Sequence, residues 1–447
     1  MITQTKKIIR DLGNGLILRY GMPEDAEALA LFNGEQLGDE GLASRDGQGL
    51  AAMTRDIFSG RPHVSLTPND FTIVEETASE RIVSSMCLIQ QTWTYEGIEF
   101  GMGRPEYVAT HPDFRKRGLI RIQFDVVHQW SAERGLLVQG ITGIPYFYRQ
   151  FGYEFALNLG GRRFGSVPPK LKQGESEKFV MRPAEEKDIP FMMFVYEHGR
   201  GRSMVSANWS EAHWHNNLYE MSKDNIQRLE FRVIEHAETQ EEVGYLAHPG
   251  YLIMSGTYAF HYELKPGVSW LEVTPAAARY LWNTGQEYAK IENKPCDAFG
   301  FYLGGAHPAY DALGDVLPNF RDPYAWYLRV PDLIGFLNLI KPVLEKRLAE
   351  SIASGHSGEY LIGMYPKGIK LTLERGLIAG IEPWKPDHAD HGNAGFAALT
   401  FLQILFGYRS YEELKYAFPD CWWDGDGTRA VINALFPKKH SNVYGIV

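Results

Sequence analysis

The chain has little cysteine: three residues in 447, at Cys87, Cys296 and Cys421. None lies near another, so the spacing holds neither a zinc knuckle nor a paired redox motif, and a sparse, odd count suits a reducing compartment. Long hydrophobic runs are also missing. No stretch of about 18 apolar residues occurs, which argues against a membrane span. The opening Met-Ile-Thr-Gln-Thr-Lys-Lys lacks the apolar core of a signal peptide, so a cytoplasmic protein is expected. Positive charge is in deficit: 45 Lys and Arg against 55 Asp and Glu leave a formal net charge of −10. That balance disfavours nucleic acid or an anionic membrane as partner. Its first meaning is solubility, and it favours a cationic small molecule only mildly.

What the chain does have is apolar and aromatic residues, at 44% and 13%. That is enough for several cores, and the length predicts about three domains. Two segments look alike. Residues 16–34 run from an apolar strand ending in Arg19, through a polar turn, to Asp25 at a helix N-cap position and an apolar helix. Residues 179–198 repeat the order with Arg182 and Asp188. Strand–Asp–helix is common on its own, but its recurrence with the same Arg-to-Asp spacing predicts two units of one architecture. A linker rich in Gly, Pro, Ser and Lys, at about 161–177, separates them.

The first copy continues with a hairpin expected around Glu96-Gly97. A strand at 106–110 follows, then a helix to about Glu133 that stops at Gly135. Leu119, Ile122, Val126, Val127 and Trp130 form its apolar stripe. Another strand is expected at 136–142, giving a mixed sheet with helices on both faces. From about 330 the texture changes to an α+β module. One amphipathic helix is expected at 331–349, strands at 359–365 and 369–374, and helices at 396–406, 411–417 and 428–436.

The most informative stretch is 106–121. A short strand leads into the turn Arg115-Lys116-Arg117-Gly118, then Leu119-Ile120-Arg121 opens a helix. Free N–H groups at a helix start attract anions, flanking cations strengthen the site, and Gly118 lets the backbone approach closely. A diphosphate is the expected ligand. The second copy, around 265–290, has Pro266, Pro275 and an apolar helix but no such basic turn. It is expected to keep the fold without the anion site.

A second motif follows at 143–156, where Tyr148 stands four residues before the pair Gly152-Tyr153. Together the two motifs resemble the GNAT N-acetyltransferase superfamily, whose Arg-x-x-Gly-x-Gly/Ala loop binds the acetyl-CoA pyrophosphate and whose Tyr-x-x-x-Gly-Phe/Tyr segment carries a catalytic tyrosine. Ile120 departs from the usual small residue in that loop. The variant 115–121, with the order of the three units, resembles the Eis-type (enhanced intracellular survival) acetyltransferases. Phe401–Tyr408 and Leu435–Lys439 carry the C-terminal part of the likeness.

The resemblance implies an α/β (α+β) fold of tandem GNAT-like mixed sheets with flanking helices. It implies an active GNAT domain at 1–165, a degenerate second one at 166–329 and a sterol-carrier-protein-like domain at 330–447. It also implies acetyl-CoA as co-substrate, with Val108, Ala109, Thr110, Arg115, Lys116, Arg117, Gly118, Leu119, Ile120, Arg121, Gly143 and Ile144 as its binding residues. The N–H of Val108 would polarise the thioester carbonyl, Tyr148 would be the general acid, and the C-terminal carboxylate of Val447 the base. Glu106 acting through a water is the alternative base, since strand alternation puts it on the face of Val108 and Thr110. The implied activity is acetyl transfer to a primary amine by direct attack in a ternary complex, the acceptor being aminoglycoside-like, a polyamine or a lysine. A multimer, often a hexamer, is implied as well. The alternative is a carrier of lipid or another apolar ligand with a vestigial acetyltransferase domain.

No metal is expected. His213 and His215 are spaced to splay on a helix, and Asp387-His388-Ala389-Asp390-His391 reads as a solvated loop. Asp424-Gly425-Asp426-Gly427 lacks the remaining ligands of a calcium loop. Phe32, Asp39, Glu40 and Phe58 are candidates for meeting a cationic acceptor.

Overall fold

A computed structural model describes residues 6–61, 63–387 and 390–444. Its largest sheet has nine strands. Along the sheet lie Ile8–Gly13, Leu16–Tyr20, Phe71–Glu76, Arg81–Tyr95, Ile98–Thr110, Val138–Ile141, Tyr324–Arg329 and Glu154–Leu159, while Val205–Ala207 pairs onto Arg81–Tyr95. The helices Ala26–Leu37 and Arg45–Ile57 cover one face, and Leu119–Glu133 covers the other. The first two helices approach closely. A Cβ at Gly34 would lie 2.6 Å from the Gly47 carbonyl oxygen, so only glycine fits there.

The expected hairpin is present: Arg81–Tyr95 and Ile98–Thr110 pair antiparallel across Glu96 and Gly97, both with positive φ, as a type I′ turn requires. The second strand is longer than the expected 106–110 because its apolar residues continue back into the hairpin. Leu119, Val126, Val127 and Trp130 are buried as the stripe predicts, and Ile122 is half-buried.

A second antiparallel sheet holds Phe179–Pro183, Leu229–His236, Glu242–Pro249 and His261–Leu264. A third joins Gly256–Ala259, Ala298–Phe301, Arg162–Gly165 and Asn319–Arg321. Strands cross between the halves of the chain. Arg162–Gly165 pairs with Ala298–Phe301, and Tyr324–Arg329 inserts between Val138–Ile141 and Glu154–Leu159.

The two sequence repeats form the same local device. Arg19 donates to both oxygens of Asp25 at 2.7 Å, and Asp25 accepts the Met22 N–H. Arg182 does the same to Asp188 at 2.5 and 2.9 Å, and Asp188 accepts the Glu185 N–H. Each carboxylate therefore neutralises a strand-end arginine and caps the turn that starts a helix.

The last part forms a five-stranded sheet of Leu377–Trp384, Lys367–Glu374, Gly358–Met364, Ala394–Gly395 and Trp422–Trp423. The single helix expected at 331–349 is two, Leu333–Leu339 and Lys341–Ala349. Pro342 causes the break, since it has no N–H to continue the first helix and sits well in the first turn of the second. The helix expected at 396–406 is confined to Phe401–Leu405. Residues 440–444 run back to the large sheet. The Met204 N–H donates to the His440 carbonyl at 3.3 Å, the Val205 N–H to Ser441 Oγ at 2.9 Å, and Trp326 Nε1 to the Val443 carbonyl at 3.0 Å. No helix among the described residues is long and apolar enough to cross a membrane.

Candidate active site

The site begins with an irregularity in the strand Ile98–Thr110. Its ladder with Arg81–Tyr95 pairs Glu106 with Cys87 and Ala109 with Ser85, so Tyr107 and Val108 together oppose one residue, Met86. This is a β-bulge, and Tyr107 has φ +54°, a conformation that costs a non-glycine residue and is held by its surroundings. Tyr107 is buried against Phe71, with ring centroids 5.9 Å apart.

The strand is irregular in two ways. First, the bulge breaks the alternation of side chains. Tyr107 and Ala109 pack on the face of the first two helices, while Val108 packs on the face of Leu119–Glu133. Glu106 is paired with Cys87 and shares the face of Tyr107. The expectation that Glu106, Val108 and Thr110 share one face is therefore corrected, because the extra residue at Tyr107 reverses the parity. Second, the strand parts from its other neighbour. Parallel pairing with Val138–Ile141 is limited to Met102–Val138 and Gly103–Gln139. Beyond Gly103 the two strands diverge. The His111 N–H donates to the Val83 carbonyl, and alternation from there directs the main chains of Val108 and Thr110 into the opening.

That opening leads into a cavity of about 310 Å³. Arg104, Glu106, Tyr107 and Val108 form one side, 141–144 and Tyr148 another, and Leu37, Leu50, Met53 and Gln227 close it. Tyr148 lies on the 3-10 turn Phe147–Phe151. Its ring is only 4% exposed and packs edge-on against Phe124 and Tyr327. A Cβ on Gly143 would sit 3.7 Å from the Tyr148 hydroxyl, so the phenol and this turn meet across the opening. Burial, with Glu106, Tyr327 and Tyr324 nearby, raises the Tyr148 phenol well above the ordinary tyrosine value.

Past Thr110 the chain makes the basic turn. Lys116 and Gly118 both have positive φ, Gly118 being the residue before Leu119–Glu133. Successive bends of this kind turn backbone N–H groups to one side. Arg115, Lys116, Arg117, Gly118 and Arg121 are exposed, Ile120 is half-buried and Leu119 is in the core. Arg115 Nε donates to the Thr110 carbonyl at 3.2 Å, Arg117 to the Asp113 carbonyl at 2.9 Å, and Arg121 to Gln150 Oε1 at 2.8 Å. These bonds hold the cations around the helix start. Gly143 and Ile144 are at the mouth of the cavity, whereas Ala109 turns its side chain into the core on the far face.

Val447 lies outside the described residues. The last described residue, Tyr444, is near enough to Arg104 for that cation to weigh on its phenol. Arg104 covers the ring of Trp326, which itself binds the Val443 carbonyl, and donates to Glu106 at 2.7 Å. Arg104 and Trp326 thus link the described tail to one wall of the cavity, while His440, Asn442, Val443 and Tyr444 themselves line a separate one.

Phe32, Asp39, Glu40 and Phe58 do not line the cavity. Phe32 and Phe58 pack in the core beneath the first two helices, and Asp39 and Glu40 sit on an exposed strand. Sequence reading passed over Arg104, Gln227, Tyr324 and Tyr327, which reach this site from a strand interior or from distant parts of the chain. No motif marks them. Among the described residues no group of three or more His, Cys, Asp or Glu side chains could hold a metal.

Residues 50–156, which carry the bulged strand, the basic turn and Tyr148, match the family model of an acetyltransferase (GNAT) domain. The chain carries a GNAT acetyltransferase domain. No curated protein gives a significant match. Solved structures resemble the chain over nearly its whole length. A GCN5-related N-acetyltransferase from Kribbella flavida is 14% identical with a TM-score of 0.59, covering 96% of this chain and 97% of that one. A probable N-acyltransferase from Enterococcus faecalis V583 is 14% identical with a TM-score of 0.63, covering 97% and 100%. Eis1 from Mycobacterium abscessus is 13% identical with a TM-score of 0.56, covering 96% and 99%. At these identities the likeness is one of fold.

Proposed function

We propose that the protein is an acetyl-CoA-dependent N-acetyltransferase that acetylates a primary amine by direct attack in a ternary complex. The observation that carries this reading is the parting of two strands beyond Gly103, followed by the bulge at Tyr107, which together bring the Val108 main chain, the Tyr148 phenol and the basic helix start to one opening. The diphosphate would rest on the N–H groups and cations of 115–121, and the pantetheine arm would run along Val108–Thr110. The neutral amine attacks the thioester carbon. The Val108 N–H takes up the charge that develops on the oxygen. As the carbon–sulfur bond breaks, Tyr148 donates a hydrogen bond, and in the limit its proton, to the leaving thiolate. The nitrogen proton leaves to a base. The tail beside Arg104 favours the Val447 carboxylate for that role, with Glu106 through a water as the alternative.

The units at 1–165, 166–329 and 330–447 fit this reading as an active half, a second half of the same architecture and an accessory module. The second half gives two strands, Val205–Ala207 and Tyr324–Arg329, to the sheet of the first half and takes Arg162–Gly165 in return. An apolar-ligand carrier is not favoured, since a vestigial site would have no need of the basic turn or of Tyr148 at the opening.

The test is release of free CoA from acetyl-CoA in the presence of assorted amines, with thermal stabilisation by CoA measured in parallel. Y148F should lower kcat about 100-fold, within the range of general acid catalysis, and keep the stabilisation. Removing residues 445–447 should lower kcat further than E106Q does. Absence of both turnover and stabilisation would sink the proposal.

A further inference from the structure

Gln227 comes from the second half of the chain, yet it lines the cavity that holds Tyr148. Its Oε1 is buried and has no hydrogen-bond partner among the described residues. An orphan carbonyl oxygen at a binding cavity costs folding free energy unless something fills its need. Its position is fixed with care. Asp56, on the helix Arg45–Ile57, accepts the Ser222 N–H at 2.9 Å, Ser222 Oγ at 3.0 Å and Asn225 Nδ2 at 2.7 Å. Asn225 Oδ1 in turn accepts the Gln227 N–H at 2.9 Å. One carboxylate of the first half thus anchors the loop that presents Gln227.

The charge of the cavity is equally specific. Among the described lining residues Glu106 is the only carboxylate, and Arg104 neutralises it at 2.7 Å. Beside Gln227 the closing wall is apolar, from Leu37, Leu50 and Met53. A polycation needs several carboxylates to offset its lost hydration. At about 310 Å³ the space is also at the small end for ligand pockets. Resting on the acetyltransferase reading, we infer that the acceptor is a monoamine with an apolar body and one distal O–H or N–H, which donates to Gln227 Oε1, the acceptor-selecting residue of the site. This narrows the range implied by the sequence, away from aminoglycoside-like and polyamine acceptors.

A matched pair of amines tests it. Tyramine carries the distal hydroxyl and phenethylamine lacks it; spermidine and kanamycin represent polycations. Wild-type protein should show kcat/KM about 10-fold higher for tyramine than for phenethylamine, the value of one neutral hydrogen bond, with both polycations poorer still. Q227L should bring that ratio close to one, while CoA still raises the unfolding temperature. N225A, which frees the Gln227 backbone, should reduce the ratio in the same direction and decides the matter if Q227L does not fold. A wild-type ratio of one or less, a ratio unchanged in folded Q227L, or a preference for spermidine or kanamycin overturns the inference while leaving the acetyltransferase reading intact. Failure of every amine together with no stabilisation by CoA overturns both.

Discussion

Tyr324 donates its hydroxyl to the carbonyl of Gly143 at 2.6 Å, across 181 residues of sequence. Three residues on, the Tyr327 hydroxyl accepts the Tyr146 N–H, and its ring stacks on Phe155 at 3.9 Å. The strand Tyr324–Arg329 therefore pins the segment 143–148 from behind, and Tyr148 depends on it for position. Loss of one such neutral bond is worth about 1 kcal/mol, or roughly fivefold in rate when it is felt only in the transition state. Y327F is expected to lower kcat about fivefold and Y324F by a similar factor, with KM for acetyl-CoA nearly unchanged. Steady-state kinetics separate the two constants. A rise in KM at constant kcat would assign the strand to donor binding instead.

That strand shows where sequence reading stops. The Arg19–Asp25 and Arg182–Asp188 devices are legible because seven consecutive residues contain all their parts. The basic turn at Gly118 and the Tyr148 turn are legible for the same reason. Pairing of Tyr324–Arg329 into the large sheet, and of Arg162–Gly165 into the other, depends on partners far along the chain, which no local period encodes. The bulge was hidden for a different reason. Tyr107 is a residue that propensity places in regular strand, and the packing of its ring holds it at positive φ against that preference. Because the bulge was unseen, Glu106 was put on the wrong face, and with it the composition of the cavity was missed. Gln227 carries no signal at all in sequence; only the anchor at Asp56 gives it a place.

The recurring ion pair has a measurable acid signature. Burial works against ionisation of Asp188, but the hydrogen bonds from Arg182 and the Glu185 N–H outweigh it and hold the carboxyl below its ordinary value. A folded-state pKa below the unfolded one stabilises the fold above the unfolded value, about 3.9, and that contribution is lost as pH falls through the folded value. D188N leaves Arg182 without its main partner and is expected to cost about 3 kcal/mol at neutral pH. The gap between wild type and D188N should stay level from pH 8 to about 5 and close below about 4. Thermal unfolding across pH measures it; a gap that widened in acid would contradict the assignment.

Electrostatics at the basic turn give a prediction about salt. Arg115, Lys116, Arg117 and Arg121 are all exposed, so their attraction for a diphosphate is screened by ions. Each exposed contact is worth at most about 1 kcal/mol. Alanine at Lys116 or Arg117 should therefore raise KM for acetyl-CoA about threefold at low ionic strength. The difference from wild type should fade between about 0.05 M and 0.5 M salt. The acceptor KM should not respond, because the cavity walls beyond Glu106 and Arg104 carry no charge among the described residues. Kinetics at two salt concentrations with each substrate varied in turn provide the check.

Tyr148 sets the alkaline behaviour of the reaction. An exposed tyrosine loses its proton near pH 10, and an enzyme relying on it as a donor would lose activity there. At Tyr148, burial first, then the negative charge of Glu106, disfavours the phenolate and raises the pKa. The phenol therefore keeps its proton through pH 10. A pKa this high makes it a weak acid, so its part is chiefly to donate a hydrogen bond to the departing sulfur, which needs only that the proton be present. The profile of kcat/KM should then rise with pH as the acceptor amine loses its proton, and stay level to about pH 10 with no descending limb. Y148F should show the same rising limb at a lower plateau. Glu106→Gln removes the neighbouring negative charge and should leave the phenol titrating lower, though still above its ordinary value because burial remains. A descending limb near pH 9 in wild type that vanished in Y148F would show that the phenol titrates in the working range, and that the packing of Phe124 and Tyr327 around it does not exclude water when substrates are bound.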